Sequence, residues 1–366
     1  MKKIAYVGVD YHIKSVTIAV MIEGEKDVND TVHLKNDDKV IRKYLKKLAT
    51  KFVIRICYEA SAAGYVFQRK VWKWGYHCDV IAPSLIPKKP GDKRKNDYRD
   101  AVNLTGLYAR DMLTVVHPPS EKEESIRSVI RCRISLKEAE KKVKQQINTF
   151  ILGRGFNWSK SKWTEEHRRW LLKMELCDSH SQMVLEEYLG HLAYLGTRIQ
   201  GLEKEIEKIA HSETYAPSVK KLVAFRGIGT LTAMVLIAEI TDFRRFPNPR
   251  ALMAFLGLVP SEDSSGERRG GGGITKAGNR RCRTFVIEAA KHCMKKPRIS
   301  SKMRDALGRV SAREVNIAMK CMKRMHDRYW ALTMKGKNRN KALTAAAREF
   351  VGFIWAMMQP EAEAYN

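Results

Sequence analysis

The sequence predicts an α/β sheet domain at the N-terminus, then a long helical coiled-coil insert, then a mainly α C-terminal domain. Three observations predict it. Short β-branched, alternating runs interleave with helical patterns between residues 4 and 82. A heptad seam occupies the middle of the chain, and the last third carries apolar residues at helical spacing with basic faces. The expected boundaries are 1–119, 120–212 and 213–366.

Residues 4–10 and 15–23 read as two strands joined by a tight polar connection, with a third short strand at 31–34. Asn36-Asp37-Asp38 then caps a helix that places Val40, Ile41, Tyr44, Leu45 and Leu48 on one side. Residues 52–58 form the next strand, about 62–74 a second helix stopped by Gly75, and 77–82 another strand. Three strands, helix, strand, helix, strand is the order of an RNase H-like (RuvC-like) sheet. A basic loop rich in proline and glycine follows at 83–95, too poor in apolar residues to be core and expected to be mobile. The helix after it carries Val102, Leu104, Leu107, Tyr108 and Met112, and Pro118-Pro119 closes the domain.

Residues 121–152 read as one charged helix with Ile126, Ile130, Ala139, Val143, Ile147 and Ile151 at helical spacing. A second, at 181–211, steps by threes and fours through Leu185, Tyr188, Leu192, Leu195, Ile199, Leu202, Ile206 and Ile209. Pairing within one chain and pairing between protomers both satisfy this seam; residues 158–170 between the helices carry no motif. Beyond Leu222 the pattern is helical, with a cap at Asn248-Pro249, a glycine- and serine-rich loop at 260–273, a basic helix at about 279–291, and helices from 301 to 358 broken near Gly336.

Charge narrows the partners. Sixty-eight lysines and arginines stand against 40 acidic residues, a surplus of +28 that calls for a polyanion, and nucleic acid is the expected one. No apolar run is long enough to span a bilayer, and the first residues run straight into a strand pattern without a signal peptide, so no membrane partner and a cytoplasmic location are expected. Seven cysteines are scattered singly, which argues for reduced thiols and against a disulfide framework or a zinc cluster, even beside His292-Cys293.

Four carboxylates sit where such a sheet gathers its chemistry. Asp10 closes the first strand, Glu59 closes the fourth, and Asp97 and Asp100 stand three apart at a helix start, so both can face one side. Hard oxygen ligands of this kind hold magnesium, or manganese in its place, against phosphate oxygens. Singly, each has an ordinary structural role as a cap, a helix-dipole partner or a turn residue. Further on, Gly227-Ile228-Gly229 between helical segments reads as a helix-hairpin-helix turn whose amides bind phosphate, or as a plain glycine turn. Ser264-Ser265-Gly266, followed by Glu267-Arg268-Arg269 and four glycines, places a hydroxyl beside cations. Such a segment serves either as a nucleophile site or as a basic DNA-binding loop.

These residues together resemble the DEDD transposases of the insertion-sequence one-ten group, bridge-RNA-guided serine recombinases. The resemblance covers nearly the whole chain and rests on Val7-Gly8-Val9-Asp10, Tyr58-Glu59-Ala60, Asn96-Asp97-Tyr98-Arg99-Asp100-Ala101, Gly227-Ile228-Gly229, Gly257-Leu258-Val259-Pro260, Ser265-Gly266 and Ile274-Thr275-Lys276-Ala277-Gly278-Asn279 in order. It implies that Asp10, Glu59, Asp97 and Asp100 bind Mg2+, with Mn2+ as substitute, and that Ser265 is the nucleophile forming a phosphoserine. It further implies donor and target double-stranded DNA as substrates, a noncoding bridge RNA as guide, and a homo-oligomer, dimer to tetramer, whose protomers share active sites. The run Gly270 to Gly273 departs from the family pattern toward a more flexible loop. Two rivals make distinct predictions: a metal-dependent junction resolvase or endonuclease using water keeps cleavage in Ser265→Ala, and a non-enzymatic binder is indifferent to Asp10→Asn.

Overall fold

The computed structural model describes residues 2–60, 64–87, 96–265 and 268–360, leaving aside the side chains of 262–265 and 268–271. The chain forms two compact units, Met1–Pro119 and Ser120–Asn366.

In the first unit, β1 (Ile4–Tyr11), β2 (Ser15–Ile22) and β3 (Asp30–Lys35) form an antiparallel meander, followed by α1 (Asp38–Lys51), β4 (Val53–Glu59), α2 (Val66–Lys73), β5 (His77–Ile81), α3 (Asp97–Ala109) and β6 (Val115–Val116). The sheet order is β3-β2-β1-β4-β5-β6, with β1, β4 and β5 parallel and the two edges antiparallel. This is the RNase H-like arrangement expected from the element order. The cap of α1 is as anticipated: the Asp37 carboxylate accepts from the amides of Lys39 and Val40.

Strand alternation sorts the side chains. Val7, Val9, Ile56 and Tyr58 pack on one face with Ile41 and Leu45 of α1 and Phe67 and Val71 of α2. The other face carries Cys57 and Ile81 against Leu104 of α3. Burying both faces of central strands is what makes these segments continuous apolar runs. The expected helix at about 62–74 is α2, which begins at Val66; residues 61–63 lie outside the described residues. Of the basic stretch at 83–95, the structure describes a 3-10 turn at Pro83–Leu85 and the chain through Pro87; residues 88–95 lie outside. The short edge strand β6 was not anticipated, two residues being too few to show a period.

The second unit is mainly helical. α4 (Glu121–Leu152) opens with a capping box in which Ser120 and Glu123 satisfy each other's backbone amides. α5 (Glu165–Leu172) leads to α6 (Ser179–Ala210), which returns antiparallel along α4. Arg133 near one end pairs with Glu203, and Arg154 at the other donates to the Ser181 hydroxyl at 2.9 Å. Of the two pairings left open by the seam, the structure shows the intramolecular one. Residues 158–170, read as featureless, enclose buried His167 between the rings of Trp158, Trp163 and Trp170.

α7 (Ala216–Val223), α8 (Thr230–Ile240) and α9 (Pro249–Phe255) follow, α8 being buried on every side from Ala233 to Ile240. Next come β7 (Pro260–Ser265) and β8 (Arg268–Ile274), then α10 (Arg280–Ala290), α11 (Ser301–Leu307), α12 (Ala312–Met334) and α13 (Arg339–Met358). One core joins α8, α10 and α13 through Phe225, Leu236, Val286, Phe350 and Ile354. The loop expected at 260–273 is instead an antiparallel hairpin, in which Asp263 pairs with Gly270 and Ser265 with Arg268. The glycine run pointed to flexibility because it has no side-chain alternation. A ladder needs only backbone groups, however, and Ser261 adds a hydroxyl bond to the Gly273 carbonyl at 2.9 Å.

Candidate active site

The site begins with a glycine. The amide of Gly8 donates to the Thr105 hydroxyl at 3.0 Å, and that hydroxyl donates to the Ala101 carbonyl at 2.7 Å. A Cβ on Gly8 would stand 2.3 Å from the Thr105 oxygen and 2.9 Å from the Ala101 carbonyl. α3 therefore lies directly on β1, which a side chain at residue 8 would prevent. This contact sets α3 with its first turn over the end of β1.

That first turn carries Asp97 and Asp100, where unpaired amides favour negative charge, and Asn96 caps it by accepting from the Tyr98 amide. Asp10 stands one residue before the end of β1, on the same strand face as Gly8. The Nε2 of His12 lies 3.1 Å from the Asp10 Oδ2 and 3.7 Å from the Asp97 Oδ1. One ligating atom from each of Asp10, His12 and Asp97 falls within 4.8 Å of the others.

Burial raises the Asp10 pKa above its ordinary value; the charges of Asp97 and Asp100 add to the rise and His12 opposes it. Negative charge thus accumulates in a partly desolvated place, where a divalent cation would relieve it. Asp100 is close enough to act on Asp10 electrostatically, although it is not in the tight cluster. Glu59 also stands outside the cluster. The pairing of Val9 with Tyr58 puts Asp10 and Glu59 at neighbouring strand ends, with Glu59 exposed.

His12 was missed from the sequence. The available signal was its position two residues past Asp10, which on extended chain puts both side chains on one face. Two carboxylates and an imidazole, with two more carboxylates nearby, fit a divalent metal: the oxygens suit a hard cation, and the nitrogen admits a softer transition ion.

In the second unit, Ser265 is the last residue of β7 and Ser264 pairs in register with Arg269. The side chains of both serines lie outside the described residues, as do Gly266 and Glu267. The Gly227-Ile228-Gly229 turn joins α7 to α8, with Gly229 at the N-cap position.

Residues 7–153 match a family described as a DEDD transposase of the IS110 type, and residues 219–304 match the IS116/IS110/IS902 transposase family. A putative transposase of Sinorhizobium fredii is 36% identical over 96% of this chain and 88% of its own length. The transposase for insertion sequence element IS1533 of Leptospira borgpetersenii is 31% identical over 70% of this chain and 75% of its own. The transposase for IS1328 of Yersinia enterocolitica is 23% identical over 77% and 85%. With both matches in chain order and Asp10 and Asp97 brought together in the first unit, the protein belongs to the IS116/IS110/IS902 family of transposases and is a DNA transposase dependent on a divalent metal.

Proposed function

We propose that the protein moves an insertion sequence by cutting and rejoining DNA through Ser265, assisted by Mg2+ held by Asp10, Glu59, Asp97 and Asp100. The observation that carries this reading is the approach of Asp97 to Asp10 through His12, on elements that a glycine contact holds together. The bound ion supplies Lewis acidity to phosphate oxygens, and Mn2+ substitutes for it. His12 and Asp10 orient one another, and Asp100 adds charge at the helix start.

In the proposed reaction the Ser265 oxygen bonds to phosphorus as a phosphodiester P–O bond breaks. The serine proton is lost and the departing deoxyribose oxygen gains one. Attack by a deoxyribose hydroxyl on the phosphoserine then reverses this sequence and rejoins the strand, so the energy of the broken bond is kept. In the hairpin register Arg268 is paired with Ser265 and Arg269 with Ser264, and in this reading their charge serves the phosphoryl oxygens.

The partners in this reading are double-stranded donor and target DNA and a noncoding bridge RNA, in the cytoplasm. A surplus of +28 supports holding two polyanions at once. A homo-oligomer, dimer to tetramer, is supported by exposed Leu172, Met183 and Tyr194 on α5 and α6, the coiled-coil insert of this reading.

A second reading, a junction resolvase or endonuclease using water, would need only the cluster of Asp10, His12 and Asp97 in the first unit. Trapping separates the two. Wild type, Ser265→Ala and Asp97→Asn are incubated with donor DNA, Mg2+ and RNA transcribed from the flanking region, then run on a denaturing gel. A covalent adduct that disappears in Ser265→Ala supports the serine mechanism; cleavage that survives Ser265→Ala without an adduct overturns it.

A further inference from the structure

The hairpin that bears Ser265 rests on a buried carboxylate that the reaction itself does not use. Glu239 lies near the end of α8, in a run where every neighbour from Ala233 to Ile240 is apolar, and is 4% exposed. Arg131 of α4 grips it with two bonds, at 2.7 and 2.8 Å. One residue earlier, the Ala238 carbonyl accepts from the Arg127 Nε at 2.8 Å. The second Glu239 oxygen accepts from the Asn279 side-chain amide at 2.8 Å.

Asn279 joins this carboxylate to the hairpin. Its Oδ1 accepts from the Cys282 amide at 3.0 Å, capping α10, while its own backbone amide donates to the Phe255 carbonyl at 2.8 Å. Around it the two ends of the hairpin cross: the Lys276 amide donates to the Gly257 carbonyl at 3.1 Å, and the Thr275 amide to the Val259 carbonyl at 2.9 Å. Gly278 has φ +136°, and a Cβ there would stand 2.3 Å from the Phe255 carbonyl. Arg283 adds a bond to the Leu256 carbonyl at 2.8 Å.

A buried ion pair is a poor source of stability, since apolar residues of similar volume usually serve as well. What it supplies is direction: a carboxylate accepts from both Arg131 and Asn279, and no apolar group could hold Asn279 at one angle.

We propose that Glu239 is a positioning residue for the serine chemistry, fixing the base of the β7–β8 hairpin through Asn279 and tying that base to α4 through Arg131. The inference rests on the reading of Ser265 as nucleophile, and predicts that hydrogen-bond polarity at the 239–279 contact matters more than either residue alone. Glu239→Gln leaves an amide nitrogen facing a donor whichever way it turns: the Arg131 Nε in one orientation, the Arg131 Nη2 and Asn279 in the other. Asn279→Asp sets two carboxylates face to face. In the double variant the amide introduced at position 239 donates to the carboxylate introduced at position 279, which still accepts from Cys282, so the 239–279 contact is restored with donor and acceptor exchanged while the bond from the Arg131 Nη2 to that position is lost.

The test is this two-by-two set in the full-length protein, with adduct rate, DNA concentration at half saturation, thermal unfolding and amide hydrogen exchange as readouts. Each single variant is expected to slow adduct formation about 100-fold, the scale of an ångström-sized misplacement, at unchanged half-saturation. Exchange should quicken at 257–261 and 272–279 rather than throughout the unit, and the double variant should recover both rate and protection. Single variants that lose no more rate than a control core variant of the same melting temperature, or a double variant no better than either single, would overturn the proposal. If wild type forms no adduct, or Ser265→Ala keeps it, the nucleophile reading fails instead. The exchange arm then decides the anchor: protection restored in the double variant supports it, and protection not restored overturns it.

Discussion

The Nε2 of His12 stands 3.1 Å from one oxygen of Asp10 and 3.7 Å from one oxygen of Asp97, in the interval a divalent ion would share with both. A nitrogen ligand discriminates among ions where carboxylates do not, because imidazole binds Mn2+ better than it binds the harder Mg2+. His12→Ala is therefore expected to weaken Mn2+ binding by about 10–100-fold, the range for groups that ligate or orient ligands, and Mg2+ binding less. Calorimetric titration of both ions into wild type and variant checks this; equal changes for the two would place His12 outside the metal's reach.

Metal binding should also depend on pH. Burial and the neighbouring Asp97 and Asp100 raise the Asp10 pKa above its ordinary value of 3.8, so protons compete with a cation for this carboxylate to a higher pH than for a free one. Affinity for Mn2+ is expected to rise with pH through the carboxylate range and to release protons as it does so. Titrations in buffers of different ionisation enthalpy measure the proton release, and its absence at the acidic end would contradict the assignment of Asp10 as ligand.

Gly8→Ala tests how the site is assembled. The added methyl would meet Thr105 and the Ala101 carbonyl well inside contact distance, so α3 must shift off β1. A destabilisation of about 1–3 kcal/mol is expected, the cost of overpacking, together with weaker metal binding because Asp97 moves with the helix. Urea unfolding and metal titration read the two effects separately. Normal metal affinity in a destabilised variant would mean that the Gly8 contact does not set Asp97.

Glu239 makes a prediction in the opposite pH sense. Burial alone would raise its pKa, but the Arg131 pair and the Asn279 amide hold it below the ordinary 4.5. A lowered carboxylate contributes stability that is present above the unfolded value and lost as pH falls through the folded one. Glu239→Gln should cost about 1–3 kcal/mol near neutrality, less than a fully buried pair because the Arg131 side chain is 42% exposed. The gap between wild type and variant should close below pH 4.5. Unfolding curves across that range check it, and a gap constant with pH would show that the ionised form is not what stabilises the wild type.

Nucleic-acid affinity should fall steeply with salt, as expected when lysines and arginines displace counterions from phosphates. Asp97→Asn should leave that slope unchanged while abolishing cleavage, because in the proposed reading it removes a metal ligand and no phosphate contact. Fluorescence anisotropy over a salt series measures the slope, and a flat response would count against nucleic acid as the partner.

The sequence by itself determined what depends on neighbours along the chain. The sheet elements follow from short β-branched apolar runs, α1 from its Asp37 cap, the long helices from their three-and-four steps, and the placement of Asp10, Glu59, Asp97 and Asp100 at element ends from where those patterns stop. The tertiary structure decided which of these ends meet. His12 enters the cluster and Glu59 stays outside it, α4 and α6 pair within one chain, and the glycine-rich segment closes into a hairpin. The physical reason is distance along the chain. Gly8 and Thr105 are 97 residues apart, and Arg131 and Glu239 108, so no local period registers either contact. Only the packing of a helix on a bare glycine, and the need of a buried carboxylate for donors, brings those residues together.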